Sequence, residues 1–217
     1  MTPSLEPDRR WFAAMVEIAA ADSRRPLGHA LGVAGGDLER LLSRFLPQRP
    51  ELRARVGECP DPGPEALEEP DLRALLLECR AGRCDEVEGW LAAIIARRSQ
   101  EANHLWQDLG LASRSELGLM LRHHFPELVR RNHRDMKWKK FFYRQLCQQA
   151  EILICKSPSC AVCSDHAQCF EAPEPDAALL AAPPAVASPF DQPPELEPDV
   201  RFWVRVYSEV PTTAGLI

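Results

Sequence analysis

The stretch that decides the fold is DEVEGWLAAIIARR, residues 85–98. Its large apolar side chains recur at the spacing of one buried helix face: Trp90, Leu91, Ile94 and Ile95. Asp85, with Glu88 three residues later, resembles a capping box at a helix N-terminus. Gly110 suits the C-terminal stop of such a helix. We therefore predict a long helix that begins at Asp85 and ends near Gly110.

Further helices are predicted on both sides of this stretch. Upstream, residues 9–21 and 37–45 carry apolar side chains at helical spacing. Downstream, Ser113 and Glu116 repeat the capping pattern, and Asp135 is predicted to cap an amphipathic helix. The apolar face of that helix contains Trp138, Phe141, Phe142 and Leu146. No persistent alternation of apolar and polar residues occurs before the last part of the chain. The predicted fold class is all-α, with a helical bundle-like domain.

Composition divides the chain into four parts. Residues 1–57 are predicted to form an N-terminal helical region, and 58–70 are a linker or loop rich in proline and acid. Residues 71–170 are predicted to form a helical domain that ends in a four-cysteine cluster-binding loop. Residues 171–217 are rich in proline and cannot bury enough apolar surface to offset chain entropy, so a disordered tail is predicted there.

Charge and composition exclude several functional classes. The chain has 217 residues and a formal net charge of −6, which argues against general nucleic-acid binding. No apolar run reaches the ~18 residues needed to span a membrane. The N-terminus lacks the basic and apolar regions of a secretory signal, so a cytosolic (cytoplasmic) protein is expected. No Ser/His/Asp arrangement, phosphate loop or dinucleotide fingerprint indicates an enzyme.

Four of the eight cysteines lie within residues 155–169. Their spacing is C-x4-C-x2-C-x5-C, formed by Cys155, Cys160, Cys163 and Cys169. Short gaps let one loop present four thiolates to a single cluster, and the first two gaps equal those of plant-type ferredoxins. A reducing cytosol argues against a disulfide framework. We therefore predict that these thiolates hold an iron–sulfur cluster.

A structural zinc site with four cysteine ligands stays open as an alternative. Zinc sites usually pair two C-x2-C knuckles across a longer spacer, whereas this loop has one. His166, inside the loop, could take an open metal position, and His133 or the adjacent His123–His124 pair could bind a metal transiently. Solvated surface histidines are the competing interpretation for all of them.

A basic segment precedes the cysteine loop. Residues 122–144 contain eight Lys and Arg against two acids, a net +6 in a chain whose total is −6. Lys137, Lys140 and Arg144 fall on one helical face and could attract an oxyanion or an acidic partner surface. The alternative is a solvated helix face whose long side chains cover the neighbouring aromatic rings.

Three stretches together resemble the NifQ family, the molybdenum-handling proteins of nitrogen fixation. They are HLWQDLGLASRSELGLMLRHHFPELVRRN (104–132), MKWKKFFYRQLC (136–147) and the cysteine loop, within a match over roughly 85–170. The resemblance implies an iron–sulfur protein that acquires molybdenum, from molybdate or another source, and passes it into assembly of the nitrogenase iron–molybdenum cofactor. It also implies two partners, the assembly scaffold NifEN and the nitrogenase iron protein. The tail, 171–217, departs from the family pattern and inherits no role.

The implied cluster ligands are the same four cysteines, Cys155, Cys160, Cys163 and Cys169. Three functional classes remain in competition. The first is a molybdenum donor that acts stoichiometrically. The second is an electron-transfer or redox-sensing iron–sulfur protein, and the third is a zinc-stabilised interaction module. Colour distinguishes the third class from the others, because zinc thiolates do not absorb visible light, and metal analysis distinguishes the first two.

Overall fold

The computed structural model describes residues 6–150 and 169–170, and this part of the chain is mostly helical. Its elements are α1 (Glu6–Ala21), α2 (Leu27–Leu31), α3 (Gly35–Phe45), α4 (Pro50–Ala54), a 3-10 turn (Val56–Glu58), α5 (Glu69–Glu78), α6 (Asp85–Arg98), α7 (Leu105–Asp108), α8 (Arg114–His124), α9 (Pro126–Arg131) and α10 (Trp138–Gln149). Among these residues there is no strand, and an isolated antiparallel bridge joins Met136 to Phe170. The predicted all-α class is confirmed for the described part of the chain.

Two predictions concern segments beyond these ranges. The cluster loop, apart from Cys169, and the tail 171–217 lie outside the described residues. Within the described ranges, no helix is both long and apolar enough to cross a membrane.

Helix α6 is buried over most of its surface and packs against α5 and α2. All four apolar residues of its predicted stripe are buried: Trp90, Leu91, Ile94 and Ile95. The Trp90 ring also meets a stacked pair from α1 and α3. Phe12 and Phe45 stack with centroids 4.3 Å apart, and Trp90 lies edge-on to them at 6.2 and 6.3 Å. The N-terminal helices therefore share one hydrophobic core with α6.

The predicted cap of α6 is wrong in its details. Cys84 occupies the N-cap position, and Asp85 is the first helical residue. Glu88 still satisfies backbone donors, but further upstream than a capping box requires. Its buried carboxylate accepts the N–H groups of Gly82 and Arg83, each at 3.1 Å. The tight turn before α6 places these two donors within reach of the side chain.

The predicted extension of α6 to near Gly110 is also wrong. The helix ends at Arg98, whose Nε donates to the carbonyl oxygen of Asp108 at 2.7 Å and holds α7 back against it. Gly110 follows α7 with a φ of +70°. A Cβ at that position would lie 2.6 Å from the carbonyl oxygen of Ala14. This turn therefore requires glycine.

The Pro- and acid-rich segment predicted at 58–70 contains no helix between the 3-10 turn and α5. It is nevertheless attached to the core. Cys59 is fully buried, and its Sγ and carbonyl oxygen accept the N–H groups of Gly28 at 3.2 Å and Gly35 at 2.9 Å. The helices on both sides of the segment contribute residues to the same core.

Arg97 connects this loop to three helices. Its Nε donates to the Glu69 carboxylate at 2.7 Å, and the two side chains are only 6% and 1% exposed. Its Nη1 donates to the carbonyl oxygens of His29, in α2, and Pro62, at 2.9 Å from the latter. Because an unpaired buried charge costs several kcal/mol, this guanidinium holds α2, α5, α6 and the loop in one arrangement.

The segment before α10 confirms one predicted cap and corrects another. The Ser113 hydroxyl accepts the N–H of Glu116 at 3.1 Å, as predicted. Asp135 does not cap α10. Its φ is +53°, and its carboxylate accepts from Arg114 Nη2 at 2.6 Å. Lys137 takes the N-cap position instead, because the turn around Asp135 delays the start of the helix.

Replacing Glu69 with Gln is predicted to destabilise the fold strongly. The substitution leaves the Arg97 guanidinium buried opposite a neutral amide, and breaking one partner of a buried pair costs about 3–5 kcal/mol. Urea denaturation followed by circular dichroism measures the change in the free energy of unfolding.

Glu65→Gln is the matched control, because Glu65 pairs with Arg73 at 2.6 Å in the same region but with both side chains about one-third exposed. This variant should lose no more than ~1 kcal/mol. Equal losses in the two variants would contradict the role given to the buried pair.

Candidate metal centre

One of the four predicted cluster ligands belongs to the described residues. This is Cys169, which is half-buried and packs against the core. Cys155, Cys160 and Cys163 lie outside the described residues, as does His166. The five described cysteines, including Cys169, are free thiols.

The last cysteine of the set is anchored to the segment that begins α10. The carbonyl oxygen of Cys169 accepts the N–H of Lys137 at 2.8 Å. The next residue, Phe170, forms the antiparallel bridge with Met136. Met136 itself is held on both sides, since the Asn132 side chain accepts its N–H and donates to its carbonyl oxygen, each at 2.9 Å. The backbone of Cys169 is thus fixed against a rigid turn.

The start of α10 is fixed in turn by a largely buried ion pair. Lys139 Nζ contacts the Asp108 carboxylate and donates to the carbonyl oxygen of Glu101 at 2.6 Å. The side chain of Asp108 is 3% exposed, and that of Lys139 is 19% exposed. The aromatic face of α10 is buried as predicted through Trp138, Phe141 and Phe142, while Leu146 is half-buried. These contacts hold the helix N-terminus in one position.

A cleft of about 390 Å³ lies between α7 and the start of α10. Four cationic side chains line it: Arg114, Lys137, Lys139 and Lys140. None of its described lining residues is acidic, and His104, Asn103 and Gln107 add further polar side chains. Lys139 is paired with Asp108, and Arg114 with Asp135, both from outside the lining. Two of the four lining cations therefore have acidic partners just outside the cleft.

The three residues predicted to attract an anion differ in their relation to this cleft. Lys137 is half-buried, Lys140 is exposed, and both line the cleft. Arg144 is exposed one turn further along α10 and does not line it. The basic segment predicted from sequence thus contributes two of its residues directly to the cleft.

Two other residues singled out from sequence lie apart from any described cluster. His133 is exposed and, among the described residues, belongs to no group of three or more metal-ligating side chains. Cys147 is half-buried in the last turns of α10.

Sequence reasoning named the His123–His124 pair as a possible transient metal site but missed the third ligating side chain beside it, that of Asp8. Asp8, His123 and His124 offer ligand atoms within 4.8 Å of one another. His124 is buried, and its Nε2 lies 3.0 Å from Asp8 Oδ1. Burial first, and then the neighbouring His124, lowers the pKa of His123. The histidine pair was visible in the sequence, but nothing local connects it with Asp8.

Comparison with known proteins identifies one matching family and several relatives of this chain. The model of the NifQ family matches residues 11–171. Protein NifQ of Rhodobacter capsulatus is 47% identical over 149 residues, 67% of this chain and 78% of the relative. Protein NifQ of Azotobacter vinelandii is 50% identical over 102 residues, 47% of this chain and 52% of the relative. Protein NifQ of Klebsiella pneumoniae is 46% identical over 134 residues, 55% of this chain and 80% of the relative.

No solved structure matches this chain. The family match covers well over half of its residues and includes both the cationic cleft and all four cysteines of the loop. The resemblance found in the sequence is confirmed: the chain belongs to the NifQ family and has a role related to nitrogen fixation.

Proposed function

We propose that this protein is a molybdenum donor. It binds molybdenum on an iron–sulfur cluster held by Cys155, Cys160, Cys163 and Cys169, and passes it into assembly of the nitrogenase iron–molybdenum cofactor. It acts stoichiometrically in the cytoplasm, and not as an enzyme. Its proposed partners are the assembly scaffold NifEN and the nitrogenase iron protein. Its proposed source of metal is molybdate, which must gain electrons from an external reductant and lose oxygen as water before sulfur binds the reduced metal.

The donor set fits this cargo. Cysteine thiolates are soft ligands that hold iron–sulfur clusters, and soft sulfur also suits reduced molybdenum. When bound, a cluster would supply sulfide ligands for the incoming metal. The described part of the chain contributes a fixed backbone at the last ligand, because Cys169 and Lys137 are joined by a hydrogen bond of 2.8 Å.

The observation that carries the proposal is the cleft next to this anchor. Lys137 donates its backbone N–H to Cys169, and its side chain lines a cleft that has four cationic groups and no acidic one among its described lining residues. Molybdate is a compact dianion, and cationic groups in a concave site raise the local concentration of such an ion. The arrangement brings a surface suited to an oxyanion next to the cysteine that ends the thiolate set.

The charge of the cleft is opposite in sign to the net charge of the whole chain. The net charge is −6, so the protein as a whole repels a dianion. Exposed charges are screened over about 10 Å at 0.1 M salt. Within that distance, the four lining cations outnumber the two acids, Asp108 and Asp135, that pair with two of them. On this proposal, molybdate approaches the chain through the cleft and not over its acidic surface.

The protein purified without oxygen is predicted to be brown and to contain iron and acid-labile sulfide. Cys160→Ala and Cys163→Ala should each remove most of the iron while the far-UV circular dichroism stays close to wild type. The reason is that the helical core, α1 to α10, precedes these cysteines in the sequence. Iron, sulfide and zinc analysis of each preparation measures the effect.

Cys147→Ala is the matched control, because Cys147 is a free, half-buried thiol in α10, outside the four-cysteine set. It should keep its iron. A colourless, zinc-loaded wild-type protein from iron-replete cells would overturn the cluster and favour the zinc module.

Reversing the three predicted anion-attracting charges should lower molybdenum loading without lowering iron. In Lys137→Glu, Lys140→Glu and Arg144→Glu combined, each lost attraction is worth roughly 0.5–1 kcal/mol, so the affinity for molybdate should fall about 10- to 100-fold. The effect should be largest at low ionic strength, because salt screens exposed charges. The molybdenum-to-iron ratio after incubation with molybdate under reducing conditions measures it.

A second triple variant, Arg9→Glu, Arg53→Glu and Arg80→Glu, makes the same change in net charge on exposed positions outside the cleft. Its molybdenum-to-iron ratio should stay near wild type. If both variants lose molybdenum equally, only the overall charge matters. If neither does, the cleft has no part in loading, and an iron-containing wild type without molybdenum would favour electron transfer or redox sensing.

A further inference from the structure

We infer that Asp8, His123 and His124 form a second metal site, for one divalent ion of the zinc and ferrous-iron class, separate from the cysteine loop. Among the described residues, their ligand atoms lie within 4.8 Å of one another. Asp8 comes from the first turn of α1, and the two histidines come from the last turn of α8. The site therefore joins two helices that are distant in sequence.

The distances are close to those that a bound ion requires. Ligand atoms about 2.0–2.1 Å from a tetrahedral zinc ion lie ~3.4 Å apart. Nε2 of His124 and Oδ1 of Asp8 are already 3.0 Å apart, so an ion can replace the proton shared between them. The His123 and His124 rings are edge-to-face, with centroids 4.7 Å apart. The ligand atoms of all three residues lie within 4.8 Å of one another, so a small change in the side-chain torsions of half-buried His123 brings its nitrogen into range.

Two buried nitrogen atoms in the same cluster are without a hydrogen-bond partner among the described atoms. They are Nδ1 of His124 and Nε1 of Trp11. The Trp11 ring lies 6.1 Å from that of His123 and 5.9 Å from that of His124. Unsatisfied buried polar atoms are uncommon and point to a bound water or ion. With Nε2 of His124 on a metal, Nδ1 carries the ring proton, and waters that accompany the ion supply acceptors for both donors.

The surrounding charge favours a cation. The charged groups that act on His123, besides the second imidazole, are the carboxylates of Asp8 and Glu88 and the guanidinium of Arg83. The fixed charges among these groups, two carboxylates and one guanidinium, sum to −1. The ligand types define the metal: two imidazoles and one carboxylate suit zinc, ferrous iron and nickel, whereas magnesium and calcium prefer oxygen ligands throughout.

An ion at this position would clamp the N-terminal helix to the rest of the fold. Arg10 of α1 forms an ion pair with Glu116 of α8 at 2.9 Å. The bound ion would therefore add a second link between these two helices. Asp8 and His123 are only half-buried, which leaves a path for water and metal to enter. Because the ion binds the folded arrangement only, it raises the stability of the native state.

This site is tested by comparing zinc binding to the full wild-type chain with zinc binding to two variants of it. Wild type, Asp8→Asn and His123→Gln are titrated with up to two equivalents of Zn²⁺ by calorimetry. Both substitutions are close in size to the original residue, and metal-free circular dichroism checks that each variant folds. The wild type should bind one more equivalent than either variant. Saturating zinc should raise its Tm by about 5–10 °C and leave theirs unchanged.

His133→Gln is the matched control, because His133 is exposed and outside the cluster. It should bind zinc as the wild type does. All four proteins have the same cysteine loop, so the difference stands whether or not that loop holds a cluster, and the visible absorbance is followed to check that the loop is unchanged. Equal stoichiometry and equal Tm shifts in wild type and both site variants would overturn the inference, as would loss of the extra equivalent in His133→Gln.

Discussion

The buried guanidinium of Arg97 is the contact on which the rest of the fold depends. A positive charge with a 6% exposed side chain must be compensated within the protein, and Glu69 together with two backbone carbonyl groups does so. These partners come from α2, α5 and the proline-rich loop. The next residue, Arg98, donates from Nε to the carbonyl oxygen of Asp108, whose carboxylate contacts Lys139 at the start of α10. A continuous series of polar contacts therefore runs from the core to the helix that anchors the last cysteine.

Sequence periodicity predicted the apolar part of this architecture and missed the polar part. The stripe of α6 and the helices α1 and α3 follow from the spacing of large apolar residues, because burial of those residues is itself the cause of the pattern. Two consecutive arginines at a helix end, such as Arg97 and Arg98, usually face solvent. The partners that allow them to be buried here lie far away in sequence. Helices α2, α4 and α7 have four or five residues, too few for a period to show. Aspartate is a common helix-capping residue, but Asp135 lies in a turn, where its carboxylate accepts a hydrogen bond from Arg114.

The candidate site divides in the same way. The four-cysteine spacing is a local property of the chain, so the sequence alone predicts the ligand set. The contact between Lys137 and Cys169 joins residues separated by the whole of α10 and the loop, and no local signal reports it. The basic segment was visible as a charge excess. Lys137 and Lys140 line a cleft and Arg144 does not, because the position of α7 determines where the cleft lies.

The two candidate metal sites differ in a way that ligand chemistry explains. Thiolates are soft and take up iron, sulfide and reduced molybdenum, whereas the imidazole and carboxylate groups of the α1–α8 cluster suit a borderline ion that stays in place. The proposed donor site must release its cargo, whereas a clamp must keep its ion, and Asp8 and His124 accordingly lie on helices that pack into the core. On both proposals, the helices of the described part of the chain keep their arrangement while molybdenum is passed on from the four cysteines.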